Sequence, residues 1–136
     1  MKEKDFEELI SYRMERSREA FKAAAIMFEN GMLISSMNRI YFSMFYDVQA
    51  LLVLNGVSFS KHGQVKGYFN SMFIKSGILP VDMGRLYNKA FEYRQKFDYV
   101  DYAFPDADMV SDYIEKANIF ISRIDDYLKK KDQPPR

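Results

Sequence analysis

Between Leu33 and Leu52 apolar side chains fall at Leu33, Met37, Ile40, Tyr41, Met44, Phe45, Val48, Leu51 and Leu52. Steps of three and four over five turns specify a helix with a wide apolar face, and Asn55-Gly56 closes it. The opposite face carries Ser35, Arg39, Ser43, Tyr46 and Ala50, mostly small residues, where a solvated face would carry Lys and Glu. Small residues let a second helix approach closely. This segment is therefore expected at the centre of a bundle, covered on both sides by the bundle or by a second subunit.

The flanking segments repeat the helical period. Ile10, Met14, Ser17, Phe21, Ala24, Ala25 and Phe28 form a stripe that ends before Gly31. A shorter helix is expected from Ser60 to near Gly77, and Pro80 opens a fourth that runs from Val81 towards Phe97. Val110, Tyr113, Ala117, Phe120, Ile124 and Leu128 mark the last, with Asp106 or Asp108 as N-cap. No stretch alternates as a β-strand would. The fold class expected is all-α, an antiparallel up-and-down helical bundle of four long helices and one short one. Residues 1–128 form a single domain in this reading, and 129–136, starting at Lys129-Lys130-Lys131, a flexible tail.

Composition removes several kinds of chemistry. The 136 residues contain no cysteine and one histidine, His62, so disulfides, thiolate metal sites and multi-histidine metal sites are excluded within one chain. Neither a Gly-rich phosphate loop nor a paired Glu-x-x-His appears. No metal and no cofactor are expected. The formal charge of +1 gives no global field to concentrate nucleic acid, although a local patch is compatible with it. No apolar run approaches the roughly 18 residues of a membrane span, and the charged start lacks a signal-peptide core. A cytoplasmic location without membrane contact is the expectation.

Three groups of polar residues could carry chemistry. Arg94, Asp98 and Asp101 stand at i, i+4 and i+7 and would share one helix face if the helix persists that far. As a surface ion-pair ladder they would contribute a few tenths of a kcal/mol per pair; as a site, the planar fork of Arg94 would hold a phosphate. Arg39 and Tyr46 lie on the second face of the central helix. A guanidinium there needs a carboxylate, carbonyls or a ligand phosphate, and an aspartate from 98–101 would join the two groups in one cleft. His62, in "SKHG", could serve in proton transfer near neutral pH if the fold brought it to Arg94; otherwise it is a cap or surface residue.

The stretches "RIYFSMFYDVQALLVLNG" (39–56), "SKHGQVKGYF" (60–69), "RQKFDY" (94–99) and "IEKANIFISRI" (114–124) together resemble the HEPN domain family, over about residues 11–128. The resemblance implies an all-α bundle, often a homodimer, frequently paired with a nucleotidyltransferase protein in toxin–antitoxin systems. In active members an arginine followed four to six residues later by a histidine makes a metal-independent ribonuclease. The arginine role carries over onto Arg94. No histidine follows it here, and Tyr99, with an ordinary pKa near 10, is a poor base.

The expected function is thus a nucleotide- or RNA-phosphate-binding module lacking full nuclease activity, working as a homodimer or beside a nucleotidyltransferase. Its ligand-binding residues would be Arg39, Tyr46, Arg94, Asp98 and Tyr99. The alternatives are a metal-independent endoribonuclease toxin, in which Arg94 acts with His62 or Tyr99, and a dimerisation bundle without a ligand.

Overall fold

The computed structural model describes residues 3–131, whose regular secondary structure is all helical. α1 spans Glu3–Glu29, α2 Leu33–Leu54, α3 His62–Phe69, α4 Val81–Tyr99 and α5 Ala107–Lys131. This is the all-α bundle that the periodicity predicts. α1 starts a full two turns before the apolar stripe, because Glu and Lys are good helix formers and acidic residues suit a helix N-terminus. α5 continues through Lys131, so the first three residues of the expected tail are helical, and 132–136 lie outside the described residues.

α2 is the central helix. Ile40, Tyr41, Met44, Val48 and Leu51 are sealed from solvent on its apolar face. On its other side Ser36, Ser43 and Ala50 are equally buried, and α1 covers them. The approach is close enough for hydroxyl-to-backbone bonds between the helices. Ser36 Oγ donates to the Ala24 carbonyl at 2.8 Å, and Ser17 Oγ donates to the Ser43 carbonyl. The covering element is thus a sister helix of the same chain.

α1 and α2 both end on a glycine in the left-handed region, Gly31 and Gly56 (φ 73° each). In each case the next residue's N–H reaches back to close the helix: Met32 to Met27 at 2.8 Å, Val57 to Leu52 at 2.9 Å.

α3 does not run smoothly to Gly77 as the sequence suggests. After Phe69 it widens into a π-turn over Asn70–Ile74. Asn70 explains the departure: its amide donates to the Lys66 carbonyl at 2.8 Å and to Asn88 Oδ1 on α4 at 2.8 Å. Gly84 of α4 sits against this turn, where an added Cβ would lie 3.0 Å from Ile74 and 3.1 Å from Asn70 Oδ1.

α4 and α5 are antiparallel and pack on α2 more than on each other. Midway along the pair, the rings of Tyr93 and Tyr113 meet at 5.8 Å. Residues 100–106 join them in a turn that places Tyr102 at φ 62°, a left-handed conformation costing a non-glycine residue about 1 kcal/mol. Asp106 caps α5, its Oδ1 accepting the Met109 N–H at 2.8 Å.

Candidate functional site

Arg94 lies on the flank of α4 that faces α2 and α3. Its Nε stands 3.3 Å from Asp98 Oδ2, one turn on, and the two side chains are only 16% and 20% exposed. Asp98 Oδ2 also accepts Asn38 Nδ2 from α2 at 2.8 Å. Asn38 Oδ1 in turn accepts both Nε and Nη2 of Arg39, at 3.1 and 2.9 Å. A relay therefore runs Arg39–Asn38–Asp98–Arg94 across two helices.

The cations also share an aromatic bed. The Phe42 ring lies under Arg39 at 4.8 Å and under Arg94 at 5.2 Å. Tyr41 and Tyr99 flank Arg94 at 5.6 and 5.9 Å. Ring faces carry negative quadrupole density, so they hold a guanidinium without neutralising its charge.

His62, at the start of α3, joins the same bed. It stacks on Phe45 at 4.2 Å and nearly parallel, and its Nδ1 is 2.8 Å from the Tyr41 hydroxyl. The rings of Tyr41 and Phe42, which contact Arg94, lie 5.7 and 5.5 Å from the imidazole. Burial lowers the His62 pKa, and the nearby Arg94 charge lowers it further. A neutral imidazole is therefore held beside a guanidinium. Burial also pushes the Tyr41 hydroxyl up to about 12, against the opposing pull of Tyr87 and Arg94.

Not every predicted grouping forms. α4 ends at Tyr99, so Asp101 falls in the turn, exposed and off the Arg94 face. Tyr46 pairs with Arg16 of α1, whose Nη2 donates to its hydroxyl at 2.9 Å, rather than with Arg39. Phe42 bridges the two neighbourhoods, its ring 5.8 Å from that of Tyr46. Arg39 makes no direct ion pair among the described residues and reaches Asp98 through Asn38 instead.

Asn38, Tyr41 and Phe42 are parts of the cluster that the sequence reading passed over. Their signal was spacing: Asn38, Tyr41, Phe42 and Phe45 follow one another at steps of three, one and three around Arg39.

A second polar feature lies deeper. Asp47 of α2 is wholly buried, and neither of its carboxyl oxygens has a well-aligned hydrogen-bond partner. Burial raises its pKa far above the usual carboxylate range, and the carboxyl of Asp125 on α5 raises it further; Arg18 and Ser17 of α1 pull the other way. Asp47 is held protonated at neutral pH.

Among the described residues no group of three or more histidines and carboxylates is placed to hold a metal, and no helix is long and apolar enough to cross a membrane. A cavity of about 490 Å³ opens on the other flank of α4, between α4 and α5. It is separate from the Arg94 cluster.

Residues 10–127 match the HEPN domain family. The chain belongs to the HEPN family. It is 39% identical over 123 residues to a UPF0332 protein of Thermotoga maritima, covering 90% of this chain and 93% of that protein. It is 31% identical over 127 residues to a Methanocaldococcus jannaschii protein named "Putative toxin", covering 93% of this chain and 94% of that one. A second M. jannaschii protein of that name is 31% identical over 119 residues, 87% of this chain and 80% of the relative. As a HEPN domain, the chain has its two family-like stretches, "RQKFDY" and "SKHG", meeting at Tyr41 and Phe42.

Proposed function

We propose that the Arg39–Arg94 cluster binds a phosphate of RNA or of a nucleotide, and that the chain works with a nucleotidyltransferase partner in a toxin–antitoxin-like pair. One observation carries the reading: two guanidinium groups converge on a single ring, Phe42, with one carboxylate, Asp98, paired with Arg94 and linked to Arg39 through Asn38. Two cations against one anion leave a net positive, partly dehydrated spot, where a charge-assisted bond to phosphate is stronger than in water. The relay orients Arg94 before a ligand arrives. The relatives named as toxins support the same direction.

His62 favours a second reading, metal-independent RNA cleavage. The tautomer that donates Nδ1–H to the Tyr41 oxygen leaves Nε2 free to accept a proton. In that reaction Nε2 takes the proton of a ribose 2′-hydroxyl as its oxygen attacks the adjacent phosphorus. The bond to the 5′-oxygen breaks, that oxygen is protonated by solvent, and a 2′,3′-cyclic phosphate remains. Arg94 would stabilise the charge that gathers on the phosphoryl oxygens.

One experiment addresses both. A single-stranded oligoribonucleotide is incubated with the protein in EDTA, and binding and cleavage are followed together. Arg94→Ala should weaken binding by about tenfold or more, the cost of a lost charge-assisted contact. If cleavage occurs, His62→Gln should abolish it while binding persists. Unchanged affinity in Arg94→Ala would remove the phosphate-site reading.

A further inference from the structure

Along α2, Arg39, Phe42, Tyr46 and Gln49 follow at steps of three, four and three. They therefore share one face, about 15 Å long at 1.5 Å per residue, and all four are half-buried. Two arginines of α1 reach across to the far half of that face. Arg16 Nη2 donates to the Tyr46 hydroxyl at 2.9 Å and its Nη1 to the Tyr12 hydroxyl at 3.2 Å. Arg13 Nη1 donates to Gln49 Oε1 at 2.8 Å. The Arg16 guanidinium also lies 4.8 Å from the centre of the Tyr46 ring, as that of Arg39 does from Phe42. Those two rings are 5.8 Å apart. Cations and rings thus alternate from Arg94 to Tyr12 without a break.

The acceptors set this row apart. An arginine on a helix surface ordinarily meets a carboxylate one turn away. Among the described residues Arg13, Arg16 and Arg39 make no ion pair, although Glu15 and Glu19 neighbour Arg16 on α1. Their bonds go instead to an amide or a phenol: Gln49, Tyr12 with Tyr46, and Asn38. A neutral acceptor fixes a guanidinium and leaves its charge in place, and Arg16 has three further N–H donors to offer. Beyond Tyr12 the surface of α1 turns acidic at Glu7 and Glu8, where a polyanion would be repelled. The row has an end.

We propose that Arg16, Tyr12 and Tyr46 form a second subsite, the far end of a track for single-stranded RNA that starts at Arg94 and Arg39. Phosphate binding at Arg94, proposed above, is its premise. Arg16 takes a further phosphate along the strand, with Arg13 adding positive charge beside it. Tyr12, 50% exposed, offers its ring to a base. A single nucleotide reaches one end of this row, whereas a strand of several nucleotides reaches both. Rings interleaved with cations suit unpaired bases, whose faces are open to stacking; a duplex keeps its bases stacked on one another and offers mainly phosphate and sugar.

Fluorescence anisotropy with oligouridylates, lengthened from one nucleotide to about eight, tests this across a salt series. Wild-type affinity should rise with length. Arg16→Ala should remove most of that rise, weaken the longest strand about tenfold and flatten its log–log salt dependence by about 0.7, the share of one phosphate. Tyr12→Ala should weaken the longest strand about fivefold with the salt dependence retained, because stacking releases no counterion. Tyr12 is half exposed, so this variant keeps the test independent of any loss of folding in Arg16→Ala, which circular dichroism reads. Arg123→Ala removes the same charge from the α4–α5 flank and should change nothing. Affinity that does not rise with length, Arg16 and Tyr12 variants that bind the longest strand like wild type, or an equal loss in Arg123→Ala would each overturn the track. Arg94→Ala should weaken every length, the single nucleotide included. If it does so while the Arg16 and Tyr12 variants have no effect, the track fails and the phosphate site stands; the reverse pattern removes the phosphate site and leaves the α1 subsite.

Discussion

Asp98, which meets α2 from α4, and Asp47, which α2 itself carries, are two carboxyl groups treated in opposite ways. Asp98 sits at the rim, bonded to Asn38 and paired with Arg94, and it keeps two cations in register. Asp47 is sealed inside, beside another carboxyl and without an aligned donor. A polar group buried without a partner costs about 1–3 kcal/mol, whereas one that is relayed to neighbours at the surface costs little. The contrast separates what the fold tolerates from what it uses: the rim acid orients charge, and the inner acid weakens the bundle.

The strongest way to break this contrast is to remove the buried ring that flanks Arg94 and bonds His62. Tyr41→Ala deletes a wholly buried side chain and should lower unfolding free energy by about 3–5 kcal/mol in urea. It should also loosen Arg94 and His62 together. Intact RNA affinity in this variant would mean that the aromatic bed does not position the cation.

Asp47→Asn tests the other side. With its folded pKa raised, Asp47 stays protonated while the unfolded chain loses that proton above about pH 4. The unfolded state then binds fewer protons, so wild-type stability falls as pH rises through neutrality. The asparagine variant lacks this dependence. Its advantage should grow by up to about 1.4 kcal/mol per pH unit between pH 5 and 8, moderated by Asp125 and Arg18. Parallel stability curves for the two proteins would show that the inner acid has no such cost.

Asn38→Ala breaks the relay at its centre and should remove about 1 kcal/mol of phosphate affinity, with stability nearly unchanged. Calorimetric titration with the oligoribonucleotide measures it, and equal affinities would make the relay ornamental. The smallest effect belongs to His62. Its lowered folded pKa means that the unfolded chain takes up protons first as pH falls below about 6.5, so stability declines there. His62→Gln should flatten that shallow slope, as read by thermal melts in acid.

Sequence and structure agree where a local rule decides the outcome. Periodicity finds the central helix, and the small residues Ser43 and Ala50 correctly predict that its second face is covered. The Arg94–Asp98 pair is legible because four residues make one helical turn. Contacts across the bundle are not legible in this way. Asn38 and Asp98 are 60 residues apart, and Tyr41 and His62 are 21 apart, so their meeting depends on how three helices pack. Asp47 did leave a signal, since it continues the buried row Ile40, Met44, Leu51 at steps of four, three and four. A charge in that row is the anomaly worth following. The π-turn at Asn70 left none, because an asparagine amide can bond locally in any turn and only α4 selects this one.

The bare backbone at Gly84 has a consequence for how Arg94 is aimed. α4 is held close at its beginning, where a Cβ on Gly84 would press on the side chains of Ile74 and Asn70, and again near its end by the Asn38 amide. A rod fixed at two points can neither slide nor roll. The angle of the arginine is thereby set some three turns away, by the one residue in the helix that has no side chain to offer.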